Sequence, residues 1–424
     1  MNPADPVWGR LNASAMARVL DRARDRFTAE DGAVIFYDLT LLKKRIEELR
    51  RLFPADTLHA IAVKANPLTA ILQRMHQWGA GLEAATLPEL YLGQKAGVPP
   101  AKLVFDSPVK TRAELEYALD LGVHINIDSL EELRRVDALL QGRGSRSTIG
   151  LRINPQVGSG RIAITSVADE YSKFGVPITE FRDELLSAYQ RHEWLKGIHL
   201  HIGSQGTDLG LLLRGVEVAA DFARSLPRPI EIFDIGGGLP AAYREDERPP
   251  TPADYAAALK KQFPELLSAP VRLVTEFGRA VHANAGWTVS RVEILKRVRN
   301  VDTAMLHVGA DLLLRRCYMP QDWYHEITIV DRCGRPKTGL HPKKVTFAGP
   351  LCFAGDLISQ EIECPPVEEG DYVLIHDTGA YTLGMWSRHN SRQVPRVLGY
   401  EEEGERFYDL KARETLEEVH SFWS

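Results

Sequence analysis

Cysteine is scarce in this chain. Four residues, Cys317, Cys333, Cys352 and Cys364, are spread over 424 positions, and none forms a CxxC pair or stands beside a histidine cluster at zinc spacing. That pattern argues against a structural metal and against a disulfide scaffold, and reads as reduced thiols in a cytoplasmic protein. Long apolar runs are also missing. No stretch of about 18 apolar residues suggests a membrane span, and Met1 to Phe27 has no continuous apolar segment of signal-peptide type. Positive charge is not in excess: 52 Lys and Arg against 57 Asp and Glu give a net charge of −5, with no long basic run. A nucleic-acid partner is therefore not expected. What is present is a globular composition, 44% hydrophobic and 26% charged, in a chain long enough for two ordinary domains.

The middle of the sequence alternates short apolar β-rich runs with amphipathic stretches. The runs are Ile61 to Val63, Gly81 to Ala85, Leu103 to Phe105, His124 to Ile127, Ile149 to Ile153, Gly197 to Ile202, Ile230 to Ile235 and Val271 to Thr275. Helical periodicity fills Leu68 to Gln77, Arg112 to Leu121, Leu130 to Leu140 and Leu211 to Arg224. Eight strand–helix units read as a (β/α)8 TIM-like barrel, although a doubly wound sheet has the same local pattern. After about Ala285 strand-like runs follow one another without long helices, punctuated by turns such as Cys333-Gly334-Arg335-Pro336. The expectation is an α/β barrel over 34–285, a C-terminal all-β domain over 286–424, and an N-terminal segment, 1–33, packing with the β domain. Val34 to Tyr37 could pair with that domain as well. A tail helix is expected over Leu410 to Val419.

In such a barrel, catalytic groups sit where strands end at the C-terminal face. Lys64, Glu83, Asp106, Arg152, His201, Gly236-Gly237-Gly238, Glu276 and Arg279 all interrupt or follow the apolar runs. Each has a bland reading. Lys64 could be a snorkelling lysine, or a desolvated amine suited to Schiff-base chemistry. The three glycines could be an ordinary turn, or backbone N–H groups presented to a phosphate; they match neither a Walker loop nor the spaced dinucleotide motif. His201 could be a satisfied core histidine, or a ring lying against a flat cofactor with Ser204 donating nearby. Glu276 could be a salt-bridge partner, or the carboxylate that keeps a pyridine nitrogen protonated. Their joint occurrence at successive strand ends favours the chemical readings.

In this order, Val63-Lys64-Ala65-Asn66, Lys173-Phe174-Gly175, His201-Ile202-Gly203-Ser204-Gln205, Gly236-Gly237-Gly238, Glu276-Phe277-Gly278-Arg279, Cys352 through Gly355-Asp356, and Asp377-Thr378-Gly379-Ala380-Tyr381 resemble the fold-type III pyridoxal-phosphate decarboxylases. That family includes diaminopimelate, ornithine/arginine and carboxynorspermidine decarboxylases, and shares its barrel-plus-β architecture with alanine racemase. The resemblance spans about Val34 to Arg392. It implies pyridoxal 5'-phosphate as cofactor, held by Lys64 as a Schiff base, with His201 stacked on its ring and Glu276 at its pyridine nitrogen. Ser204, Gly236, Gly237, Gly238, Arg279 and Tyr381 would surround the phosphate. Cys352 would protonate the carbanion after CO2 leaves, acting in the site of the other subunit of a homodimer.

Two departures bear on the substrate. The resemblance implies a glutamate after the cysteine in diaminopimelate decarboxylases and an aspartate in ornithine decarboxylases; Phe353 stands here. The Arg-Pro segment of the family reads Arg315-Arg316-Cys317-Tyr318-Met319-Pro320. The expected substrate is therefore a specialised one, such as a D-diamino acid or a citrate-conjugated diamino acid of a siderophore or antibiotic pathway. Arg315, Arg316 and Arg388 are candidate readers of its extra carboxylates, with Phe353 beside them; the alternative is that they are interface or surface arginines. An amino-acid racemase and a non-catalytic cofactor-binding or regulatory relative are the competing readings. Glu276, where a racemase commonly has arginine, argues against the first; retention of both Lys64 and Cys352 argues against the second.

Overall fold

The computed structural model describes residues 7–268, 270–338 and 341–424. The chain forms two compact units. One comprises Lys43–Ala241 and Arg248–Val281; the other comprises the described residues up to Leu42, Ala242–Glu247, and those from His282 to Ser424.

The first unit is the barrel. Its eight strands are Leu58–Ala62, Gly81–Ala84, Leu103–Asp106, His124–Ile127, Ile149–Asn154, Leu195–His199, Ile232–Asp234 and Arg272–Thr275. All neighbouring pairs are parallel, and the eighth strand pairs with the first, Val274 with Leu58 and Thr275 with His59, which closes the ring. The strands are buried on both faces, which is why they appear in the sequence as continuous apolar runs rather than alternating ones. Helix boundaries follow local chemistry. Thr111 and Glu114 form a capping box ahead of Arg112–Leu121, and Gly122 stops that helix at φ +82°. Thr251 and Asp254 do the same at the start of Pro252–Gln262.

The second unit is built on two sheets. The six-stranded sheet runs in the order Ile327–Val330, Tyr372–Ile375, Gly286–Arg291, Ala33–Asp38, Arg396–Glu401, Arg406–Lys411. The four-stranded sheet runs Ile294–Val298, Val301–Met305, Lys343–Ala348, Leu357–Cys364. Helix Ala13–Ala23 lays Met16, Val19 and Leu20 onto Val34, Phe36, Trp287 and Leu398. Phe36 and Trp287 stack at 4.3 Å.

Two expectations need correcting. Strand Ala33–Asp38 lies centrally in the six-stranded sheet, between Gly286–Arg291 and Arg396–Glu401, so the barrel unit begins at Lys43 rather than at residue 34 and ends at Val281 rather than 285. The tail helix covers Leu416–Trp423, because Arg406–Lys411 is drawn into an antiparallel pair with Arg396–Glu401 and the Thr415–Glu418 capping box sets a later start.

Candidate active site

The first barrel strand ends in a tight turn, Val63–Ala65, that carries Lys64. Its Nζ lies 2.6 Å from Glu83 Oε2 on the second strand. Glu83 is fully buried, and that burial pushes its carboxyl up to about 8, against the opposing pull of Lys64. The lysine is thus paired with a carboxyl that holds its proton more tightly than an ordinary one.

A chain of charged groups lies behind this pair. His199, at the end of the sixth strand, has Nδ1 3.5 Å from Asp106 Oδ1 and Nε2 3.5 Å from Glu276 Oε2, all three side chains being buried. At that separation the contacts are electrostatic rather than short hydrogen bonds. Burial opposes the charge on His199, but Asp106, Glu276 and Asp234 outweigh it and raise the imidazole to about 9. Burial likewise pushes Glu276 up, and His199 more than offsets this, holding it below the usual carboxylate range. Asp106 is also held low despite its burial, by His199 and by Arg152, whose Nη1 is 3.1 Å from its Oδ2. Arg152 is itself fixed over the ring of Phe174 at 4.7 Å, while the Gly175 N–H donates to Asp128, which gives the Lys173-Phe174-Gly175 motif a positioning role. Asp106, His199 and Glu276 bring ligand-type atoms within 4.8 Å of one another, an arrangement in which an imidazolium would face both carboxylates.

His201 differs from His199. Its Nδ1 accepts the Gly237 N–H at 3.0 Å, so the ring is neutral and its 4.0 Å approach to Glu276 is not an ion pair. Its burial pulls it in the same direction. The glycine loop packs tightly around it. Gly236 and Gly238 have φ of +63° and +106°, and a Cβ on Gly237 would lie 2.6 Å from the Glu276 carbonyl oxygen. Ser204 Oγ accepts from Arg279 Nε at 3.2 Å and from Nη2 at 3.1 Å. The barrel unit therefore brings together Lys64, His201, Ser204, Gly236, Gly237, Gly238, Glu276 and Arg279.

The remaining candidates lie in the β unit. Tyr381 sits at φ +56° in the loop that begins at Asp377. Asp377 is gripped by Arg10 Nη2 at 2.7 Å and by Asn284 Nδ2 at 2.8 Å. Arg315 lies between the rings of Trp323 and Tyr381, 4.7 and 4.9 Å from their centroids. Cys352 is exposed, with its backbone N–H donated to Asn390 Oδ1 at 2.7 Å. Phe353 stacks on Tyr318 at 4.9 Å. Arg316 is committed elsewhere: it donates to the carbonyls of Ile358, Pro320 and Trp323 at 2.7, 2.7 and 2.8 Å. Arg388 forms a two-point pair with Glu414, 2.6 Å at each contact. These bonds favour the structural alternative for both arginines.

Sequence reading gave no role to His199, Asn126 or Asp234. The signal was available for His199: it stands two residues before His201, and residues two apart on a strand face the same side.

A family model described as "Pyridoxal-dependent decarboxylase, pyridoxal binding domain" matches residues 39–283. The chain belongs to the pyridoxal-dependent decarboxylases. It is similar to the diaminopimelate decarboxylase of Pseudomonas aeruginosa, 33% identical over 374 residues and 86% of each chain. It is likewise similar to that of Aquifex aeolicus, 32% identical over 361 residues, 84% of this chain and 83% of the relative. Among solved structures, the Helicobacter pylori diaminopimelate decarboxylase complexed with L-lysine superimposes with a TM-score of 0.82 at 26% identity, covering 94% of this chain and 98% of that one. Membership in the pyridoxal-dependent decarboxylases makes the protein a pyridoxal-phosphate-dependent carboxy-lyase and sets aside the racemase and non-catalytic readings. The residues fit the cofactor: Glu276 Oε1 is buried with no hydrogen-bond partner among the described residues, as a carboxylate awaiting a pyridinium N–H would be. No described helix is long and apolar enough to cross a membrane.

Proposed function

We propose that this enzyme decarboxylates a specialised amino acid or amino-acid conjugate, rather than meso-diaminopimelate or L-ornithine. Bound pyridoxal phosphate supplies the electron sink for the electrons left when CO2 departs. Lys64 would anchor the cofactor, and Glu83, 2.6 Å from its Nζ, would take up or return the lysine proton. His201, neutral and fixed by Gly237, presents its ring face. Glu276 holds a proton at the pyridine nitrogen. Ser204, Arg279, the N–H groups of Gly236 to Gly238, and Tyr381 hold the phosphate. Cys352 delivers the proton to Cα, in a homodimer where it serves the partner's site.

The observation that carries the substrate reading is Phe353, stacked on Tyr318 where the family resemblance implies an acidic reader of a distal amine. An aromatic pair offers no charge to an ammonium in the way a carboxylate does. Arg315, held between two aromatic rings, is the arginine best placed to read a carboxylate. Candidate substrates are D-diamino acids and citrate-conjugated diaminopropionate.

The test is a comparison of kcat/KM across both enantiomers of lysine, ornithine and arginine, meso-diaminopimelate and citryl-diaminopropionate. A specialised member turned over at least ten times more efficiently than meso-diaminopimelate is expected. Meso-diaminopimelate as the preferred member would overturn the substrate reading.

A further inference from the structure

The groups below the candidate cofactor pocket carry more charge than the established chemistry uses. His199 is fully closed off from solvent, yet a carboxylate faces each of its two ring nitrogens. Asp106 on the third strand and Glu276 after the eighth each lie 3.5 Å from one of its ring nitrogens. Asp234, at the end of the seventh strand, is a third buried carboxyl nearby, but burial and the neighbouring Glu276 push it well above the usual carboxylate range, so the charge on His199 rests on Asp106 and Glu276. Asp234 is tied by the Gly236 N–H at 2.9 Å and by Asn126 Nδ2 at 3.2 Å. The positive groups nearby are Arg152, already paired with Asp106 and Asp128, Lys64, paired with Glu83, and Lys110, which acts on Asp106 but is paired with Glu132. His124 and His201 also face this region and are neutral, for burial pushes both down. A neutral His199 would leave Glu276 and Asp106 buried with too little compensation, and one carboxylate would take up a proton instead.

We propose that His199 is a positioning residue: as a permanent imidazolium shared by Asp106 and Glu276, it keeps Glu276 ionised and aimed at the cofactor's pyridine nitrogen. The second half of this statement rests on the cofactor reading above. The first half stands on the barrel alone. A protonated Glu276 would donate to the pyridine nitrogen rather than hold a proton on it, and the electron sink would weaken. His199 touches neither cofactor nor substrate; it acts through Glu276.

The test uses the cofactor-loaded protein with ring-15N histidine. One histidine is expected to carry protons on both nitrogens at pH 8 and to titrate near pH 9. His199→Gln removes that signal, and Asp106→Asn assigns it independently by moving its midpoint towards neutrality, so the assignment survives if one variant fails to fold. In folded His199→Gln loaded with pyridine-15N cofactor, the nitrogen signal shifts from its protonated towards its unprotonated position. There kcat falls roughly 10–100-fold, the range for partners that orient a functional group, with KM little changed. A neutral His199 at pH 8, or an unchanged pyridine signal and kcat in folded His199→Gln, overturns the proposal. These signals do not depend on which amino acid is the substrate. An enzyme that prefers meso-diaminopimelate but retains them leaves this inference standing.

Discussion

Lys64, on the turn after the first barrel strand, meets Glu83 on the second at 2.6 Å, the lysine side chain 36% exposed and the glutamate fully enclosed. The contact puts a titrating carboxyl on the amine that anchors the cofactor. Glu83→Gln keeps the volume but cannot take the lysine proton. The expected outcome is slower capture of the cofactor by Lys64, on the order of a hundredfold, followed as growth of the bound-cofactor absorbance. Capture at the wild-type rate would show that Glu83 has no part in the proton exchange.

Gly237 has no room for a side chain, since a Cβ would lie 2.6 Å from the carbonyl of Glu276. Gly237→Ala displaces either the glycine loop or Glu276. Thermal unfolding should show a loss of about 1–3 kcal/mol, the usual range for overpacking. Cofactor titration should show weaker binding, because the same loop fixes His201 through its N–H. Wild-type cofactor affinity in this variant would mean that the loop does not shape the pocket.

The buried neutral histidines make the fold sensitive to acid. Burial pushes His59 and His124 down to about 4. Between that value and the ordinary 6.5 the unfolded chain binds more protons than the folded one, so stability falls as pH drops through this window. Each histidine contributes up to roughly 3 kcal/mol of this loss. Denaturant midpoints measured from pH 7 to pH 4 should fall steadily, with a smaller slope in His124→Asn. His199 acts at the other end. Raised to about 9, it adds stability below pH 6.5 that is lost as pH climbs through 9.

Cys352 is exposed in the β unit while Lys64 belongs to the barrel unit. If each active site takes its cysteine from the partner, Lys64→Ala and Cys352→Ala are each inactive as pure proteins. Mixed and reassembled in equal amounts, they recover about one quarter of wild-type activity, as random pairing in a two-fold dimer gives one intact site in half the dimers. No recovery, in dimers shown to exchange subunits, would place both residues of each site in one chain.

The barrel was legible because parallel strands buried on both faces leave continuous apolar runs, and the polar residues that end those runs mark the mouth. All eight expected strands fall on observed ones. The β unit was harder to read. Leu357–Cys364, Arg396–Glu401 and Arg406–Lys411 alternate or mix polar residues; Leu357–Cys364 becomes a strand beside Lys343–Ala348, and the other two pair with each other, with distant Ala33–Asp38 on the far side of Arg396–Glu401. Val34 to Tyr37 does pair within the β unit, as its apolar run allowed, beside Gly286–Arg291 and Arg396–Glu401; only the domain boundary at residue 34 set it with the barrel. At the site, the residues expected to hold the cofactor were picked out from motif and position. His199 was not, although it stands two residues before His201, because its importance lies in facing two carboxylates at once, 93 and 77 residues away in sequence (199 − 106 and 276 − 199). Arg316 and Arg388 looked like substrate readers because a sequence shows charge but not the carbonyls and Glu414 that already occupy them.

The most direct measurement is release of labelled CO2 from carboxyl-labelled amino acids by the cofactor-loaded enzyme, run beside Lys64→Ala. The expected result is stoichiometric CO2 and amine from at least one substrate, with both products lost in the variant. Exchange between enantiomers without CO2, or CO2 release that persists in Lys64→Ala, would contradict a lysine-anchored decarboxylase.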